Sequence, residues 1–307
     1  VRPLIVTPGD PQGIGPEVAL AALRVFRRRP VVLVGAAAPV LRLAGSAAQR
    51  VSTLAPLPHA LAVFQPDDDG QPVEITAIHT AVEACLDGRA AALVTGPIHK
   101  GRLARQGSPW LGHTDLLGHL CGVERPVMAF VGGSVRVALV TVHLPLRAVP
   151  DAVTTPLVLH TITLADRALR DDLRLARRRI AVCGLNPHAG DDGALGQEDA
   201  EVIAPAVAAA AAAGIDAYGP VSAEAAFLAA VRGDCDLVVA AYHDQGLAPL
   251  KALDFGRSVN WTLGLPITRT SVDHGTADDL VGTGRADPSS MVAALELAAD
   301  LADRREA

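Results

Sequence analysis

Short apolar, β-branched runs alternate with helix-length segments along nearly all of this 307-residue chain, and that alternation leaves few folds open. Strands are expected at 3–7, 31–34, 91–95, 126–131, 135–142, 179–183, 236–241 and 259–263. Helices are expected at 16–27, 75–87, 114–121, 155–174, 198–213, 222–232 and 288–303. This order predicts a largely parallel α/β sheet with helices on both faces. The stretch 44–74, rich in Ala, Pro and Asp, breaks the alternation and reads as a surface excursion. No repeat or low-complexity linker divides the chain. At this length, two domains sharing one continuous architecture, with a cleft between them, are expected.

Composition narrows the function classes. Half the residues are hydrophobic and 20% are charged, as in an ordered globular protein. A net charge of −6 offers no broad basic footprint, so no nucleic-acid partner is expected. The run Arg27-Arg28-Arg29 reads as the favourable end of a helix. Cys85, Cys121, Cys183 and Cys235 form no C-x-x-C pair and read as small core residues in a reducing compartment. Residues 3–7 read as a first strand, with no signal pattern around them. The apolar stretch 206–213 is too short to span a bilayer and reads as a closely packed helix. A cytoplasmic protein with no membrane partner is therefore expected.

Three strand-like runs end just before a histidine: 139–142 before His143, 180–185 before the loop holding His188, and 237–241 before His243. Ligands of open α/β sheets collect beyond the carboxyl ends of strands. Three imidazoles delivered there suit a divalent metal with a position left for substrate. Zinc, cobalt, manganese and magnesium are not separable by sequence, although imidazole favours the transition metals. Taken singly, each histidine reads more readily as a satisfied polar residue than as a ligand. Asp244 is placed to orient the ring of His243.

Several turns follow strands. Thr7-Pro8-Gly9-Asp10-Pro11-Gln12-Gly13-Ile14-Gly15-Pro16-Glu17 opens a helix, with glycines that let backbone approach a ligand. Its spacing is neither G-x-G-x-x-G nor a Walker loop. On spacing alone, Thr95-Gly96-Pro97-Ile98-His99-Lys100 reads first as a structural turn with a solvated lysine. Gly112-His113-Thr114-Asp115 sets a histidine at a helix start, with Thr114 the expected N-cap, and a helix start is an anion site. Lys251, Asn260 and Arg269 supply groups for a phosphate or carboxylate. Asp273-His274-Gly275-Thr276-Ala277, followed by Gly282, Gly284 and Asp287, forms a glycine-punctuated loop suited to an adenosine moiety.

These motifs, in order from Thr7 to about Asp287, resemble those of the 4-hydroxythreonine-4-phosphate dehydrogenase family. The resemblance implies an isocitrate/isopropylmalate dehydrogenase-like fold of two α/β domains with a cleft, not a Rossmann fold. The expected division places 1–105 with 250–307 on the cofactor side and 106–249 with the metal ligands and dimer interface. It implies NAD- or NADP-dependent oxidation of 4-phosphooxy-L-threonine on the route to pyridoxal 5′-phosphate, with decarboxylation of the β-keto acid first formed.

Carried over by motif, His143, His188 and His243 resemble the ligands of one divalent ion, and His113, Thr114, Lys251, Asn260 and Arg269 the substrate contacts. His274, Gly275, Thr276, Ala277 and Asp287 resemble a cofactor loop. The general base is left open between Lys251 and a metal-bound path. The family resemblance also implies a homodimer whose metal histidines come from both subunits. Asp115 stands where the family usually has Glu. Two other readings stay open: a dehydrogenase of 4-phospho-threonate or 4-phospho-erythronate, and a non-catalytic metal- or nucleotide-binding regulator.

Overall fold

The computed structural model describes residues 1–110, 112–254 and 256–307. The first segment runs β1 (Leu4–Thr7), α1 (Gly15–Leu23), β2 (Val31–Val34), α2 (Ala37–Ala44), β3 (Ala48–Val51), β4 (Leu61–Phe64), α3 (Val73–Leu86), β5 (Ala92–Thr95), α4 (Lys100–Arg105) and α5 (His113–Cys121). The middle runs β6 (Val127–Val131), β7 (Arg136–Leu139), α6 (Val149–Ala152), α7 (Thr155–Arg167), β8 (Ile180–Cys183), α8 (Ala204–Ala212), β9 (Ala217–Val221), α9 (Ala223–Arg232), β10 (Leu237–Ala240), α10 (His243–Asp254) and β11 (Val259–Leu263). The chain ends with β12 (Arg269–Ser271) and α11 (Ser289–Glu306).

Two compact units result. One joins Val1–Pro126 to Leu265–Ala307, and the other is Val127–Gly264. The divisions differ from the expected 105/106 and 249/250 for packing reasons. Leu116 and Leu117 of α5 are fully buried in the core of the first unit. Strand β11 pairs antiparallel with β6, which draws 259–263 into the second unit.

Strand order in the first unit is β3-β4-β2-β1-β5-β12, parallel throughout. The expected surface excursion at 44–74 is corrected here, because it supplies β3 and β4. Strand β3 is an edge of sequence Ala-Gln-Arg-Val with two exposed polar residues, so it carries no apolar run to read. Helix α1 forms where Pro16 pre-sets the first turn and Glu17 faces the positive end of the dipole. Arg27 donates to the carbonyls of Leu23, Arg24 and Phe26 at and just past the end of that helix, while Arg28 and Arg29 pair with acidic residues of α11.

The second unit is mixed. Its order is β11-β6-β7-β10-β8-β9, with β6 antiparallel to both neighbours and the rest parallel. Its core joins Phe130, Val137, Leu139, Val238, Leu247 and Leu250. Helix α10 was not expected from sequence, since it carries Gly246 and an internal Pro249. Gly246 is required there: an added Cβ would meet Leu139 Cδ2 at 2.6 Å and Val137 Cγ1 at 2.9 Å.

The cysteines are free: Cys183 and Cys235 are buried, Cys85 and Cys121 half-buried. Burial pushes the Cys85 and Cys183 thiols up to about 12. They are inert packing groups. Among the described residues no helix is long and apolar enough to cross a membrane.

Candidate active site

In the second unit, register levels the carboxyl ends of three parallel strands. Leu139 of β7 lies opposite Ala240 of β10, and Val182 of β8 opposite Val239. The three histidine segments therefore leave the same end of the sheet. His143 is exposed and His243 half-buried, with ring centroids 5.6 Å apart. With metal–nitrogen bonds of about 2.1 Å, two imidazoles on one ion have centroids roughly 5 Å apart, so the two rings are near enough to share a cation if their nitrogens face it. His243 is the first residue of α10, and its Nδ1 lies 2.7 Å from Asp244 Oδ1. With that carboxylate accepting from Nδ1–H, Nε2 keeps its lone pair for a ligand.

His188 is exposed and adopts a left-handed backbone at φ 53°, in a run of positive φ from His188 to Asp192. Asp199 holds the base of this loop. Its buried carboxylate accepts from Leu185 N at 2.6 Å and from Asn186 N and Nδ2 at 3.0 Å each. Among the described residues no group of three or more His, Cys, Asp or Glu is arranged to hold a metal ion, so His188 does not join the other pair within one chain. Lys251 lies in α10 and Asn260 in β11, both half-buried. Asn260 Oδ1 is sealed from water with no hydrogen-bond partner among the described residues.

In the first unit, Thr7, Thr95 and Ser271 stand in register on β1, β5 and β12. Arg269 is buried and donates from Nη2 to Thr95 Oγ1 at 2.6 Å. Burial pulls its guanidinium down to about 9, still charged near neutrality. His113 begins α5, and burial, then the nearby Arg269 cation, hold its imidazole well below its ordinary value. Its Nε2 is buried with no partner among the described residues. Thr114 is not the N-cap: Gly112 takes that position in extended backbone, and Thr114 is the helix's second residue. A buried cation, a neutral imidazole and a helix start together form an anion-receiving arrangement.

The 274–287 loop rests on the glycine-rich turn of the same unit. Ile14 N donates to Thr276 O at 3.0 Å, and Gly282 N donates to Glu17 Oε1 at 2.7 Å. Gly13 has no room for a side chain, since a Cβ would meet Thr276 Cβ at 2.9 Å. Arg102 donates from Nη1 and Nη2 to Asp278 at 2.6 and 3.0 Å and from Nε to buried Asp10. Ala277 takes a left-handed backbone at φ 41°, and Gly275 stays open. Asp287 Oδ1 accepts from Ser289 N and Oγ ahead of α11. His274 Nδ1 lies 2.9 Å from Gly275 O, and its Nε2 is buried without a partner among the described residues.

The sequence reading missed Asp199 and the Asp10–Arg102–Asp278 clamp. Asp10 lay in plain view in its motif. Arg102 and Asp199 carry no local signal, because each acts across the fold.

Comparison with known proteins shows the family. The family model of pyridoxal phosphate biosynthetic protein PdxA matches residues 21–298. A 4-hydroxythreonine-4-phosphate dehydrogenase of Geobacter metallireducens is 46% identical over 97% of this chain and 95% of that protein. The crystal structure of the enzyme of that name from Klebsiella pneumoniae matches with a TM-score of 0.87 at 37% identity, covering 98% of each chain. At 16% identity, isocitrate dehydrogenase from Methylococcus capsulatus shares the fold, with a TM-score of 0.55 over 100% of this chain and 87% of that one. The chain belongs to the PdxA family of 4-hydroxythreonine-4-phosphate dehydrogenases and is an oxidoreductase acting on a CH–OH group.

Proposed function

We propose that the chain oxidises the C3 hydroxyl of 4-phosphooxy-L-threonine, with NAD or NADP as hydride acceptor, in pyridoxal 5′-phosphate biosynthesis. The product is 2-amino-3-oxo-4-phosphooxybutanoate, a β-keto acid that loses CO₂ to give 3-amino-2-oxopropyl phosphate. One observation carries this reading. Buried side-chain atoms of His113, Asn260 and His274 have no hydrogen-bond partner among the described residues. Each such atom costs about 1–3 kcal/mol if it stays unpaired. These three, unlike Thr7 and Thr268, whose hydroxyls are also buried without a partner among the described residues, lie on residues that motif resemblance assigns to substrate or cofactor.

His143, His188 and His243 are the residues to hold a divalent ion of zinc, cobalt, magnesium or manganese. Such an ion, when bound, supplies Lewis acidity that lowers the pKa of the substrate hydroxyl. Two histidines pair within the chain and the third stands apart, which suits a homodimer whose two copies complete each site. Lys251 is the candidate to move the C3 hydroxyl proton as hydride leaves for the nicotinamide. Arg269 and the start of α5 receive the substrate's anionic groups, and neutral His113 contributes a hydrogen bond without adding charge. His274, Gly275, Thr276, Ala277 and Asp287 receive the adenosine end of the cofactor. The reaction belongs in the cytoplasm.

The test is NADH or NADPH formation from 4-phosphooxy-L-threonine, 4-phospho-threonate and 4-phospho-erythronate, with and without EDTA. The amino acid should turn over fastest, and only without chelator. His188→Ala should keep its circular dichroism and lose turnover. Faster oxidation of either sugar-acid phosphate overturns the substrate, and full activity in EDTA overturns the metal.

A further inference from the structure

The exits of β7, β10 and β8 are tied together by one side-chain carboxamide and one hydroxyl. Ala241, the residue after β10, uses both its backbone groups for this. Its N–H donates to Gln245 Oε1 at 2.7 Å. Its carbonyl accepts from Thr141 N at 3.1 Å and Thr141 Oγ1 at 2.8 Å, which ties in the exit of β7 two residues before His143. Gln245 Nε2 then donates to Gly184 O at 2.7 Å, at the exit of β8 where the His188 loop begins. Gln245 is the third residue of α10, so it curls back over the helix start that displays His243. A third-position Gln reaching back to backbone N–H is a known way to fix how a chain enters a helix. Here the same amide has a second duty, because its other end grips a neighbouring strand.

We propose that Gln245 is a positioning residue for the oxidation site, whose carboxamide fixes where the His243 helix start and the His188 loop each leave the sheet, whichever copy of the chain completes the ligand set. This rests on the reading of His143, His188 and His243 as metal ligands. Gln245 is not itself in the ligand set. Its two ends do different jobs, and a neutral amide is what satisfies both. One end must accept from Ala241 N–H and the other must donate to Gly184 carbonyl. Glutamate keeps the acceptor but sets a carboxylate oxygen against a carbonyl oxygen. Methionine fills similar space and keeps neither bond. Groups that orient ligands without touching the ion typically tune metal affinity or activity by about 10–100-fold.

The experiment compares wild type, Q245E, Q245M and H188A as full-length proteins. Co²⁺ is titrated by visible absorption, NAD⁺ binding by fluorescence, and unfolding by heat. Wild type should bind Co²⁺ and H188A should lose it. Q245M and Q245E should bind Co²⁺ about 10–100-fold more weakly, with an altered absorption envelope and a lower kcat. NAD⁺ affinity should stay unchanged, which a general loss of structure would not allow. Hydrogen exchange adds a readout that separates the two ends of the amide. The Ala241 amide should lose protection in Q245M and keep it in Q245E, so failure of one variant to fold leaves the other informative. Unchanged Co²⁺ affinity in Q245M overturns this proposal alone. Absence of Co²⁺ binding in wild type overturns the metal reading, and this proposal falls with it.

Discussion

The loops of the 1–126/265–307 unit are clamped by ion pairs, whereas the histidine segments of the 127–264 unit are held by hydrogen bonds to backbone. In the first, Arg102 joins Asp10 to Asp278 and so pins the 274–287 loop. In the second, Thr141 and Gln245 bridge strand exits as neutral groups, and Asp199 accepts from backbone and amide N–H. The difference suits what the proposed function has each region receive. A cation site made of imidazoles would be perturbed by a guanidinium nearby. A loop proposed for a dinucleotide has no such conflict. Ion pairs at the surface weaken with salt, but hydrogen bonds to backbone largely do not. The two regions should therefore fail under different conditions.

The sharpest way to break the second region is Asp199→Ala. It leaves the N–H groups of Leu185 and Asn186 without their acceptor beneath the His188 loop. Loss of about 3 kcal/mol is expected, since buried donors to a carboxylate are left unsatisfied. Urea unfolding measures it, and a loss below about 1 kcal/mol would show that the loop finds other partners. The matching change in the first region is Gly13→Ala. Its Cβ would press on Thr276, with Cβ at 2.9 Å and the carbonyl oxygen at 3.1 Å. The 274–287 loop must shift by a few tenths of an ångström, at a cost of about 1–2 kcal/mol. The KM for NAD⁺ should rise while Co²⁺ affinity stays put. A change in Co²⁺ affinity of the same size would erase the contrast between the regions.

How much of this was legible in the sequence depends on the distance over which each residue acts. The strand-end placement of the histidines was legible because each follows its own strand within a few residues, and period and position carry that information. The glycine-rich turn was legible for the same reason. Strand β3 was not, since a two-sided polar edge has no apolar period. Nor was β12, three residues long, whose Arg269 and Thr270 are buried by bonds to Thr95 and to the Ala294 carbonyl rather than by their own apolarity. Helix α10 hides behind Gly246 and Pro249, which read as breakers. Tertiary packing overrides them, because β7 leaves no room for a side chain at 246. Asp199 and Arg102 act over 14 and 176 residues of sequence, and no local pattern encodes such pairings.

A milder probe of the first region is Arg102→Gln, which keeps a polar side chain and removes the charge shared by Asp10 and Asp278. The KM for NAD⁺ should rise about 10-fold, equivalent to 1.4 kcal/mol, with little change in kcat. In wild type the same KM should climb with ionic strength, and in the variant that dependence should flatten. Co²⁺ affinity should follow neither change.

The smallest effect is in acid. The hydrogen bond from Arg102, then that from Thr276, lowers the Asp278 carboxyl to about 2. A depressed carboxylate adds stability above its unfolded value of about 3.8, and that contribution fades as pH falls from there through about 2. The clamp should therefore be indifferent to pH between 5 and 8 and loosen only below about 4. Burial keeps His113 neutral across the upper range, so it adds no titration near its ordinary value of 6.5. Amide exchange across 274–282 at graded pH reads the clamp directly. A midpoint near neutrality would mean that an imidazole, not Arg102, governs the loop, and the contrast drawn between the two regions would have to be redrawn around histidine.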